Sequence, residues 1–290
     1  MSESMLDKWR IFVKSGAVKS EMENAIELLK RFRETYPFVE NPESIETLSP
    51  DDIFKEQPSE VGEFFHWLEY YLYPIGHLTI YGSKVYRQIR SQFEDFKELL
   101  YTVVDRKKSL VEKVDAQWDE IKHLGGDRHI GKKIIFCFNF ETEEILPIFK
   151  TSHLEYFFDN IADRPEYTWK YASMTLGEKY HFLNSEIIKV KKSFPETMSC
   201  TIPYFARFLY DFYPPPRLES TESPNESTKL EEKLATEQKV QFRNFMILLN
   251  ELRSKNKISA EELRLYRKQW ENYPQGRESL FDQLTALKNK

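Results

Sequence analysis

Apolar side chains recur at three- and four-residue intervals along most of this 290-residue chain, and several of these runs open on a residue able to cap a helix. Such a pattern commits the chain to a largely α-helical fold, because each apolar stripe must be buried against another element. Met5, Trp9, Phe12 and Val13 predict a short first helix. Ser20 with Glu23 forms a capping-box pattern, and Met22, Ala25, Ile26, Leu29 and Phe32 then share one face, predicting a helix over about 21–34. The next stripe, Val61, Phe64, Phe65, Leu68 and Leu72, ends at Pro74, which cannot continue a helix. Val85, Ile89, Phe93, Phe96, Leu100 and Val103 trace one long stripe, and Ser109 with Glu112 opens another helix. Thr175 with Glu178 starts a further one, and Tyr204, Phe205, Phe208, Leu209 and Phe212 mark another, stopped by Pro214, Pro215 and Pro216.

Between these helices the period changes. KKIIFCFNF, a polar ETE turn and EILPIF predict a β-hairpin over residues 132–149, with Pro147 placing its second strand at an edge. Ser152 with Glu155 then predicts a capped helix, and HLTIYG a short strand. The expected class is α+β, predominantly α-helical, with a main domain over 1–213. Residues 214–237 are polar, acidic and nearly free of aromatic residues, as in a disordered linker. Residues 238–290 read as a C-terminal helical segment, with Ser259 and Glu262 capping its second helix.

The formal net charge of -5 gives no global attraction to polyanions, so contact with nucleic acid needs a local basic patch. Cys137 and Cys200 are too few for a disulfide framework and lack metal-ligand spacing, which fits a reducing compartment. Without a secretory leader pattern or a long apolar run, the expectation is a cytoplasmic protein without a membrane contact.

The most suggestive motif is LGGDRHIGKK. It approaches a phosphate-binding loop, but Lys133 stands where a magnesium-binding Ser or Thr belongs, so no nucleotide cofactor is expected. It still gathers Arg128, His129, Lys132 and Lys133 on a glycine-rich loop, with Lys122 beside them, as candidates for phosphate contact. Lys84, Arg87 and Arg90 place positive charge at the start of a helix, where it opposes the dipole, and form a secondary group. The six histidines show no paired ligand spacing, so no metal is expected, and no Gly-x-Ser-x-Gly elbow is present. Glu141, Glu143 and Glu144 cluster at the expected turn, where solvated acids belong, and no Asp lies on the neighbouring strand to complete a nuclease site.

The segment GGDRHIGKKIIFCFNFETEEILPIFKTSHLEYFFDNI, residues 125–161, resembles a motif of the recognition regions of archaeal McrB-type modification-dependent restriction proteins. Leu146, Pro147, Ile148, Thr151, Ser152 and His153 are its most motif-like part, HLTIYGSKVYRQIRSQFEDFKELL is similar too, and the resemblance extends over about 35–213. It implies a non-catalytic module that reads DNA or a partner, while an AAA+ motor and a nuclease act elsewhere. The leading expectation is therefore a non-catalytic nucleic-acid-associated recognition subunit, linked to restriction or defence. The alternative is a protein-interaction adaptor that binds its partner through residues 238–290.

Overall fold

The computed structural model describes residues 4–14, 16–76, 83–141, 144–162, 167, 170–216, 241–242, 244–255, 257–272 and 277–289. They fall into two compact units, Met1–Pro216 and Arg217–Lys290. The residues expected to form the strand HLTIYG, and most of those expected to form the linker, lie outside the described residues.

The first unit is an α-helical assembly with, among the described residues, one small antiparallel ladder. Its helices begin with α1 (Met5–Phe12), α2 (Gly16–Thr35), α3 (Pro50–Ile53), α4 (Glu63–His66), α5 (Ser83–Ser91) and α6 (Phe93–Val104). They continue with α7 (Leu110–Val114), α8 (His129–Asn139), α9 (Thr151–Ile161), α10 (Leu176–Ser193), α11 (Pro195–Met198) and α12 (Ile202–Phe212). The ladder pairs β1 (Phe54–Lys55) with β2 (Glu60–Val61), Phe54 opposite Val61 and Lys55 opposite Glu60. Among the described residues, no helix is long and apolar enough to cross a membrane.

The helical periodicity reads through to the structure at most positions. Trp9 and Phe12 of α1 pack on Tyr204, Phe205 and Phe208 of α12, as aromatic rings at helical spacing should. Ser109–Glu112 and Thr175–Glu178 form complete capping boxes. Two expected caps are displaced: α2 starts at Gly16, upstream of Ser20, and α9 starts at Thr151 after Lys150, upstream of Ser152. The expected long stripe from Val85 to Val103 is two helices, because Gln92 leaves the helical region at φ -116°, ψ 45° and its side-chain amide donates to the Glu120 carbonyl.

The hairpin expected over 132–149 is not formed. Residues His129–Asn139 are helical, and residues 144–150 pair with no strand among the described residues before α9 begins. The physical reason is burial on every side: all residues from Ile130 to Asn139 are buried, and a short apolar run such as IIFCF cannot be told from a buried strand by its period. The stretch 145–149 needs no ladder either. Asn184 of α10 accepts the Leu146 amide at 2.7 Å, and Lys132 of α8 donates to the Phe149 carbonyl at 3.2 Å, so side chains satisfy these backbone groups.

In this unit α8 lies against α2, α6 and α7, and α10 lies against α7 and α9. The termini of α7, α8, α9 and α10 therefore meet around the loop that precedes α8. That meeting point is where the candidate site lies.

Candidate functional site

The loop before α8 is built by close contacts and unusual backbone conformations. His123 and Arg128 have φ of 77° and 52°, and Gly126 has φ of 66°, a region that disfavours a side chain. Gly131, in the first turn of α8, faces the Trp118 indole so closely that a Cβ there would lie 2.8 Å from the ring. Trp118 is buried and its indole nitrogen donates to the Lys113 carbonyl.

Asp127 is the hub of the loop. Its carboxylate is 2.7 Å from His129 Nε2 and 2.7 Å from Lys132 Nζ, and it accepts the Thr151 amide at 2.9 Å and the Thr151 hydroxyl at 2.5 Å. Burial alone raises the Asp127 pKa, but hydrogen bonds from His129, Lys132 and Thr151 outweigh it and hold the carboxyl well below its ordinary range. Burial in turn pulls the Lys132 pKa down, against the pull of Asp127. Because Asp127 accepts the Thr151 amide, it caps α9 from a distance, which explains why that helix starts ahead of Ser152.

Arg128 fastens the loop to two more elements. Its guanidinium donates to the Val114 carbonyl at 2.6 Å and lies 3.3 Å from Asp115 and 2.8 Å from Asp119. Asp115 also accepts the Gly177 amide at 2.8 Å and the Thr175 hydroxyl, so it joins α7 to the start of α10. Lys133 turns the other way. Its ammonium has no solvent exposure and donates to the carbonyls of Leu72, Ile75 and Gly76 at 2.6, 2.7 and 2.9 Å. Burial lowers its pKa to about 8.

The eight basic residues expected to contact phosphate therefore separate into groups. Lys132 and Lys133 are internal, Arg128 is held by two aspartates, and the His129 ring rests on Asp127. Arg90 is held by Asp51, Glu56 and the Phe54 carbonyl, while Arg87 donates to Ser59 and lies over the Phe54 ring. Lys84 and Lys122 are exposed and form no ion pair among the described residues. The expectation that Arg128, Lys132 and Lys133 stand on a glycine-rich loop is thus corrected for the lysines, which lie inside α8, and all three are engaged by carboxylates or carbonyls of the fold.

What remains open at the loop is a cavity of about 220 Å³ lined by His123, Gly125, Asp127, Arg128, His129 and Ile130. It lies at the start of α8, whose first turn has no side-chain cap, because Arg128 at the capping position carries only donors and cannot accept from an amide. Exposed Lys122 and His123 stand next to it in the chain. Among the described residues, no three His, Cys, Asp or Glu side chains are grouped to hold a metal ion.

His153, in the first turn of α9, places Nδ1 3.1 Å from the Tyr210 hydroxyl. Burial, then the nearby Lys150, lowers its pKa to about 4. An unfolded histidine titrates near 6.5, so between these values the unfolded chain binds a proton that the folded chain does not, and stability falls as pH drops from about 6.5 toward 4. A His153→Gln variant is expected to flatten that part of the stability curve, by a modest amount because the ring is only half buried. Denaturant midpoints at pH 7 and pH 5 check this.

Comparison with protein-family profiles, curated proteins and solved structures finds no match to this chain.

Proposed function

We propose that the protein is a non-catalytic nucleic-acid-associated recognition subunit whose first unit contacts the phosphate backbone at the loop before α8. The observation that carries this reading is the uncapped first turn of α8 beside an open cavity, with Lys122 and His123 exposed at the same loop. A helix start carries a partial positive charge and amides aimed outward, which suits an anion. The Asp127–Lys132 pair and the pairs of Arg128 with Asp115 and Asp119 serve this reading by fastening the loop, so the contact is made by backbone and rim rather than by the internal lysines. Association with restriction or defence, which the McrB-type resemblance implies, belongs to the same proposal.

The test is a titration of short duplex DNA with the full chain at low salt, repeated with Lys122→Glu/His123→Glu. Wild-type binding should weaken steeply as salt rises, and the double variant should bind about tenfold more weakly. Absence of wild-type binding at low salt removes the reading.

One observation favours a protein partner as a second reading. In the second unit Ile247 is 46% exposed and, with Leu248 and Phe281, lines a groove of about 300 Å³ bordered by the Glu251–Lys288 ion pair. Apolar surface of this kind marks contact sites. If Ile247→Glu leaves the complexes recovered with the protein from cell extract unchanged, the adaptor reading fails.

A further inference from the structure

The second unit carries a charge distribution of its own. Arg217–Lys290 holds fourteen Lys and Arg against twelve Asp and Glu, with the excess confined to residues 241–290, ten against six, whereas the whole chain holds 42 against 47. The unit also has a separate core, in which Phe245, Leu249, Leu252, Trp270, Leu280 and Leu284 pack together. Its described helices are 244–254, Ala260–Asn272 and Arg277–Asn289. A short turn joins the first two, and the Ser259–Glu262 capping box sets where the second begins.

Apart from Arg267, the described cations of residues 241–290 fall into two sets. Lys257 donates to the Leu287 and Lys288 carbonyls, Lys288 pairs with Glu251, and Arg277 donates to the Trp270 carbonyl, so these three hold helix ends together. Arg253, Lys255, Arg264 and Lys268 are exposed and make no ion pair or side-chain hydrogen bond among the described residues. Arg253 and Lys255 lie at the turn leading into Ala260–Asn272. Arg264 and Lys268 lie one turn apart on that helix, flanking Leu265, which is 62% exposed. Like charges four residues apart repel and weaken a helix slightly, so this arrangement is not explained by the unit's own stability. Glu261 shares the face but sits in the first turn, where it complements the helix dipole.

We propose that Arg264 and Lys268, with Arg253 and Lys255, form a second phosphate-contacting face, and that its ligand is double-stranded nucleic acid. This rests on the nucleic-acid reading above and places part of the contact in the second unit. Two helices joined by a short turn can lay the second along a duplex, and cations one turn apart on its outer face reach backbone phosphates. An anionic bilayer suits the face poorly, because Leu265 is the one large exposed apolar side chain on the described part of that helix and no apolar stripe accompanies it.

The test compares duplex DNA binding by the full chain, by Arg264→Glu/Lys268→Glu and by Glu261→Lys, using fluorescence anisotropy across a salt series. All three positions are exposed, so the core is left intact, and circular dichroism verifies that the helix is kept, in particular in Glu261→Lys, which removes a first-turn acid. The double reversal should weaken binding about tenfold and reduce the salt slope by roughly two, and Glu261→Lys should tighten binding. Unchanged duplex affinity in both variants overturns the inference, as does a double reversal that abolishes binding to phosphatidylserine vesicles or to poly-glutamate while sparing the duplex. If only Lys122→Glu/His123→Glu weakens binding, the inference fails and the loop reading stands. If only Arg264→Glu/Lys268→Glu does, the loop reading fails and the inference stands. If wild type does not bind, both fall.

Discussion

Replacing Asp127 with alanine is expected to destabilise the first unit by about 3–5 kcal/mol, because it leaves the buried Lys132 ammonium without its counter-charge. Lys132 has no solvent exposure, and its remaining partners, the Phe149 carbonyl at 3.2 Å and the Thr151 hydroxyl at 2.8 Å, cannot neutralise it. The same change removes the acceptor for the Thr151 amide, so the start of α9 loses its cap. A second substitution separates these costs. Asp127→Ala/Lys132→Met should recover much of the loss, since the uncompensated charge is gone and only the cap and packing are missing. Near-UV circular dichroism during denaturant unfolding provides the measurement. A loss under about 1 kcal/mol in the single variant, or no recovery in the double, would show that the pair is not ionic in the folded chain.

The sign of the pH dependence follows from the lowered Asp127 pKa. Its contribution is fully present above the ordinary carboxyl value of 3.8 and is lost as pH falls below it, because the unfolded chain takes up the proton first. Wild type should therefore lose stability more steeply on acidification than Asp127→Asn does. The loop before α8 should loosen in the same range, so hydrogen exchange at the first turns of α8 and α9 should rise there.

How far the sequence exposed this architecture depends on whether each interaction is local. Ser109–Glu112, Thr175–Glu178 and Ser259–Glu262 satisfy amides within one helical turn, and each is legible from spacing alone. The start of α9 is not, because its cap comes from Asp127, twenty-four residues upstream. The helix α8 is hidden for a related reason. With Ile130–Asn139 buried throughout, its apolar run has no solvent face to reveal a period, and two lysines inside it read as surface charge. Only the partners show otherwise: Asp127, five residues before Lys132, and three carbonyls some sixty residues before Lys133. A lysine pair followed by an unbroken apolar run is the signal that marks such internal cations, and it was present in GKKIIFCF.

Lys133 gives the second large expected effect. The carbonyls of Leu72, Ile75 and Gly76 lie on the turn that follows the helical segment continuing α4 through Tyr71, a turn in which Leu72 also accepts the Ile75 amide. Lys133 supplies three donors to them from one point, a task no apolar residue can take over. Lys133→Met keeps most of the side-chain volume and removes the donors, so its cost of about 3 kcal/mol at neutral pH reports the orphaned carbonyls rather than a cavity. The pH dependence runs opposite to that of Asp127. Burial lowers the Lys133 pKa to about 8 from 10.5, so between these values the unfolded chain holds a proton that the folded chain has shed. Wild-type stability should therefore gain relative to Lys133→Met as pH rises from 8 to 10.5, and the gap between the two should widen. A gap that stays constant across that window would mean the ammonium keeps its proton in the folded chain, with the three carbonyls compensating its burial completely.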